Sequence, residues 1–134
     1  MTRDETIKIL SLLKAAYPNS YKGMTKEEAN GTIMVWASQF VNIPADVVLV
    51  AVNKLISTNT FPPAICEVKK KISGMYWESW QALEDHGKYN NLTDAQNATY
   101  QRIFEAAEQL RNQEMIEPSI KELTGASQQY LLGS

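Results

Sequence analysis

Only one stretch of this chain, Val47-Val48-Leu49-Val50-Ala51-Val52, has the continuous β-branched and apolar character of a buried strand, and no second such run exists to pair with it. A lone strand would leave its N–H and C=O groups without partners. The same segment continues with Ala51, Leu55 and Ile56 at helical spacing, past Lys54 to Ser57. The reading that satisfies its backbone is therefore a helix, and with no sheet available the chain is expected to be all-α.

The rest of the sequence is punctuated as helices are. Thr2-Arg3-Asp4-Glu5 has the form of a capping box, in which a threonine oxygen and a glutamate three residues later satisfy free amides at a helix start. Ile9, Leu10, Leu13, Ala16 and Tyr17 follow as one apolar stripe ended by Pro18 and Asn19, which predicts a helix over about 3–17. Thr25-Lys26-Glu27-Glu28 repeats the signature ahead of Ala29, Ile33, Trp36, Ala37 and Phe40. Pro44 suits a first helical position, where no amide bond is lost, and Asp46 complements the positive end of a third helix over about 44–58.

Thr58-Asn59-Thr60-Phe61-Pro62-Pro63 reads as a rigid turn, because each proline fixes its own φ and pushes the preceding residue into extended conformation. Ile65, Val68 and Ile72 define a fourth helix. Gly74 weakens the path to Met75, Tyr76, Trp77 and Trp80, which continue as a short helix to about Leu83. His86-Gly87-Lys88-Tyr89-Asn90-Asn91 reads as a loop. Thr93 then caps a polar helix of about 94–114 with a narrow stripe of Tyr100, Ile103, Phe104, Ala107 and Leu110, and Pro118 is expected to break it. Ser119 to Leu123 then adds at most one further turn before a polar end.

The expected architecture is a small compact bundle of four to five short helices followed by a separate amphipathic C-terminal helix. It divides the chain into a helical domain at 1–85, a linker at 86–93, and a C-terminal helix with a flexible tail at 94–134. At 134 residues the chain holds one core, not two. Charge divides it similarly: residues 1–72 carry nine Lys/Arg against six Asp/Glu, or +3, and residues 73–134 four against nine, or −5. Two halves of opposite sign suit two different partners.

Chemistry is sparsely represented. The net charge of −2 argues against a strong DNA-binding field, so direct DNA binding is expected to be weak or absent. The start has no signal-peptide core and the chain no long apolar span, which predicts a cytoplasmic protein that avoids membranes. One histidine and one cysteine, His86 and Cys66, are too few for a zinc site, and Glu84-Asp85-His86 reads as a solvated cluster. No base is placed to activate Cys66, which is expected to pack against the first or second helix. No phosphate-binding glycine loop and no nucleophile elbow is present, so neither an enzyme nor a cofactor is expected.

Three features point instead to binding. Lys69-Lys70-Lys71 fans around its helix, either as a solvated face or as a contact for an acidic partner or phosphate backbone. Trp77 and Trp80 could stack on bases, as aromatics of single-strand binders do, but aromatics at helical spacing beside a glycine more often complete a core. The stripe Tyr100, Ile103, Phe104, Ala107 and Leu110 either packs back on its own bundle or docks in a groove on a partner.

The order of these features resembles a known family: a short capped helix ending Ala16-Tyr17-Pro18, a helix carrying Trp36 and Phe40, Pro44 opening a helix with Val48 and Ala51, then Phe61-Pro62-Pro63-Ala64-Ile65-Cys66-Glu67. This resembles the amino-terminal domain of the bacteriophage loader/inhibitor proteins of replicative helicases. The likeness covers about residues 1–80 and is sharpest in the Phe-Pro-Pro-x-Ile-x-Glu stretch at 61–67. It implies a protein that binds a hexameric DnaB-type helicase, holds its ATPase and unwinding in check, and delivers it to an initiator bound at the phage origin. It also implies an amino-terminal domain that meets the initiator and a carboxy-terminal part that contacts the helicase. Assigning the helicase contact to Tyr100, Ile103, Phe104, Ala107 and Leu110 rests on their stripe, and Lys69, Lys70 and Lys71 are assigned to initiator or nucleic acid. The alternative is a small phage or prophage DNA-binding regulator that uses the lysine run.

Overall fold

Three threonines begin helices, each through its own side-chain hydrogen bonds. Thr2 Oγ1 accepts the Glu5 amide at 3.2 Å while Glu5 Oε1 accepts the Thr2 amide at 2.8 Å, which starts α1 (Arg3–Ala16) with a complete capping box. Thr25 Oγ1 accepts the Glu28 amide at 3.1 Å and starts α2 (Lys26–Gln39). Thr93 and Gln96 exchange bonds of 3.1 and 2.9 Å at the start of the last helix. Each such cap is worth about 1 kcal/mol and fixes where the helix begins. The computed structural model describes the backbone of residues 1–131 and the side chains of residues 1–113.

The ambiguous valine run is helical: α3 spans Ala45–Ile56 with Pro44 as its N-cap. Val47, Val48, Ala51 and Val52 are fully buried at spacings of one, four and five, a helical stripe, while Leu49 between them is exposed. A strand would have turned alternate residues outward. After the Pro62-Pro63 corner, α4 (Ile65–Gly74) buries Val68 and Ile72, and Met75 makes the bend into α5 (Tyr76–Tyr89). The Glu67 carboxylate ties this corner, accepting from the Ala64 amide at 3.2 Å and from Asn59 Nδ2 at 3.1 Å.

The junction after α5 is shorter than the expected 86–93 linker. Residues 86–89 complete the helix, and Asn90 ends it with φ 47°, a left-handed conformation that asparagine tolerates better than most residues. His86 Nδ1 accepts the Leu92 amide at 3.1 Å, closing the turn into α6 (Asp94–Leu131). Helix α6 also runs on through Pro118, against the expectation that it ends there. An interior proline costs about 3 kcal/mol through a lost bond and a crowded turn, but the loss is local and intact turns on either side carry the helix past it. The last part of the expected flexible tail, residues 132–134, lies outside the described residues.

The described residues are all-α, with no strand among them. Their core is one cluster to which every α-helix except α5 contributes: Ile9 and Leu13 from α1, Trp36 from α2 and Phe40 at its end, the α3 valines, Val68 and Ile72 from α4, and Ile103, Ala106 and Leu110 from α6. A fully buried Val, Ile or Leu contributes about 1.5–3 kcal/mol relative to exposure, so this cluster is the main source of stability. Helix α6 packs on α3, α4 and α5, so the first half of the C-terminal helix lies on the bundle.

Candidate protein-interaction surfaces

Ile103, Ala107 and Leu110, three of the five stripe residues, are buried, as is Ala106, which completes the spacing of three and four. Tyr100 and Phe104 are half-buried. Phe104 stacks on Tyr76 with ring centroids 5.0 Å apart and planes 30° apart. Of the two readings open to this stripe, packing on its own bundle is the one found here. Tyr100 and Phe104 are the members a partner can reach without moving α6. The helix is fastened near its start, where Arg102 Nε donates to Asp46 Oδ2 at 2.7 Å.

The aromatic residues of α5 depart from expectation. Trp77 is 61% exposed and Trp80 41%, so neither completes the core. The inward position belongs to Ser79, 1% exposed, which donates its hydroxyl to the Tyr76 carbonyl at 2.9 Å. Helices α5 and α6 pack extensively, and small residues such as Ser79, Ala106 and Ala107 permit close approach that an indole would block. The tryptophans are thereby turned outward. They lie on an ordered base: Trp77 meets Tyr76 edge-on at 4.9 Å and Trp80 at 6.2 Å, and the Arg111 guanidinium sits 4.9 Å from the Tyr76 ring centre and 6.0 Å from that of Trp77.

The three lysines of α4 are not equivalent. Lys69 Nζ donates to Gln39 Oε1 at 2.8 Å and lies 5.9 Å from the Phe40 ring centre, so its charge is engaged within the fold. Lys70 and Lys71 are exposed. A separate groove of about 570 Å³ lies between α1 and α2, lined by Ile7, Leu10, Met24, Ala29 and Ile33 together with Lys14 and Lys22. Burial pushes the pKa of Tyr21, in the same wall, above its ordinary 10, with a smaller contribution from Tyr17.

Cys66 is exposed, contrary to the expected packing against α1 or α2. The buried stripe of α4 runs through Val68 and Ile72, and a residue two positions before Val68 points away from it. Among the described residues no group of His, Cys, Asp and Glu could hold a metal ion, and no helix is long and apolar enough to cross a membrane.

The helices of the amino-terminal part and the proline corner that follows them coincide with a known domain. The family model for the N-terminal domain of a phage helicase loader/inhibitor protein matches residues 1–69. The chain belongs to this family. The match takes in α1, α2, α3 and the first turn of α4, a shorter span than the resemblance over about 1–80 suggested. It includes the Phe61-to-Glu67 corner, in which Pro63 is buried, Ile65 half-buried and Phe61 75% exposed. Helices α5 and α6, and with them both exposed tryptophans, lie beyond the span matched to the loader/inhibitor domain. No curated protein and no solved structure matches the chain.

Proposed function

We propose that this protein is a phage replication factor that binds a hexameric DnaB-type replicative helicase, restrains its ATPase and unwinding, and helps place it at an origin marked by an initiator protein. The single observation that carries this reading is membership of the helicase loader/inhibitor family over residues 1–69. The protein would act by contact, with no reaction of its own, in the cytoplasm of the bacterial host. Its chemistry suits that role: exposed aromatic and apolar surface is the usual material of protein interfaces.

The two halves of the chain are proposed to serve different partners. Residues 1–85, with the exposed Lys70 and Lys71, would face the initiator. Residues 94–134 would face the helicase, through Tyr100 and Phe104 at first contact and through Ile103, Ala107 and Leu110 only if α6 leaves the bundle. The α5–α6 junction at 90–93 is the place where such a movement would hinge. Co-purification of the full chain with the phage or host DnaB-type helicase tests the reading; retention of the helicase supports it, and its absence from the bound fraction with both helicases refutes it.

A further inference from the structure

We propose that Trp77 and Trp80, seated on Tyr76, Phe104 and Arg111, form a docking surface for a protein segment that carries lysine or arginine among apolar residues. Two tryptophans on one helical stripe, 61% and 41% exposed, present more apolar surface than isolated surface residues normally do. Their positions are supported by the edge-on contacts with Tyr76 and with each other, and Tyr76 is held in turn by its stack on Phe104. Large side chains that are already ordered lose little freedom on binding, which is why tryptophan, tyrosine and arginine concentrate in the energetic centres of interfaces.

Charge identifies the partner. Glu84 is one turn beyond Trp80 on the same stripe, Asp85 accepts from Gln81 at 2.9 Å beside it, and on α6 exposed Glu108 shares a face with Phe104 and Arg111. Arg111 keeps its charge over the two rings, so three carboxylates, Glu84, Asp85 and Glu108, stand against the two cations Arg111 and Lys88, while Lys54 on α3 is paired with Glu78 at 3.0 Å. A nucleic-acid strand could stack on the indoles and meet Arg111 over Trp77, but Glu84, Asp85 and Glu108 outnumber Arg111 and Lys88 around the pair and disfavour a run of phosphates. A basic segment gains on both counts: its cations face carboxylates and can lie over the Trp80 indole as Arg111 lies over that of Trp77.

The location of that segment on the helicase rests on the function proposed above; the surface itself does not. The test uses the full chain with four probes: a dye-labelled amphipathic leucine/lysine peptide, its leucine/glutamate counterpart, a short oligo-dT strand, and the helicase hexamer. The leucine/lysine peptide is expected to bind at least about tenfold more tightly than the other two small probes. The double variants Trp77→Ala/Trp80→Ala and Glu84→Lys/Glu108→Lys are each expected to weaken it by about tenfold or more with unchanged helical content. Peptide binding that survives loss of both tryptophans overturns the surface, as does oligo-dT binding that depends on them. If the helicase binds the wild type and the tryptophan variant equally, its placement on the helicase is overturned while the proposed function stands. If the helicase does not bind at all, the proposed function fails and the peptide pair alone decides the surface.

Discussion

Arg102 on α6 reaches across the bundle to Asp46 at the start of α3, with Nε 2.7 Å and a terminal nitrogen 2.6 Å from the same carboxylate oxygen. The other oxygen of Asp46 accepts the Val47 amide at 3.0 Å, so one carboxylate satisfies an amide in the first turn of α3 and links that turn to α6. Both side chains are partly exposed, which limits the pair to about 1 kcal/mol. Arg102→Ala is expected to lower the thermal midpoint by roughly 4 °C and to speed amide exchange in the first turns of α6. An unchanged exchange rate there would mean that the ion pair does not position the helix.

Ile103 and Trp77 make opposite predictions although both are large and apolar. Ile103 is buried in the common core, and Ile103→Ala is expected to cost about 2–5 kcal/mol by leaving a cavity. Trp77 is mostly exposed, and Trp77→Ala is expected to cost less than about 1 kcal/mol. Denaturant midpoints at constant slope separate the two, and a neutral Ile103→Ala would mean that α6 is not packed on the bundle.

The capping box of α1 supplies a pH signature. Hydrogen bonds from the Thr2 amide, and then from its hydroxyl, hold the Glu5 carboxyl below its ordinary 4.5. A depressed pKa stabilises the fold above the unfolded value and loses that contribution as pH falls through the folded value. The stability difference between wild type and Glu5→Ala should therefore be constant from neutral pH down to about 5 and shrink below 4.5. A difference that grows in acid would contradict the cap.

The lysine run should separate by position. Lys69→Ala is expected to destabilise the fold by about 0.5–1 kcal/mol, because it removes the bond to Gln39 and the contact with Phe40. Lys70→Ala and Lys71→Ala are expected to leave the unfolding midpoint unchanged. Any weakening of initiator binding should come from these two, and should fade as salt rises.

Much of the fold is legible in the sequence because its signals are local. Thr2, Thr25 and Thr93 mark helix starts through bonds made within three residues, and the stripe through Ile103, Ala107 and Leu110 marks an apolar face wherever it is buried. What is not legible depends on the partner across the helix. Helix α5 offers two faces, one with Trp77 and Trp80 and one with Ser79, and periodicity alone favours the aromatic one as core. The choice is made by the closeness of α5 to α6, a tertiary distance that no spacing in α5 encodes. Cys66 is a parallel case, in which a general burial habit is overridden by the register of Val68 and Ile72. The continuation of α6 past Pro118 shows that a breaker sets a cost, not a boundary.

Restraint of the DnaB-type helicase is tested by its rate of ATP hydrolysis, measured as this protein is titrated to excess over the hexamer, with Phe104→Asp as comparison. The rate is expected to fall saturably with the wild type, and Phe104→Asp, which places a charge at a half-buried stripe position, is expected to weaken the effect. A helicase rate unchanged at saturating protein, with no complex formed, would contradict it.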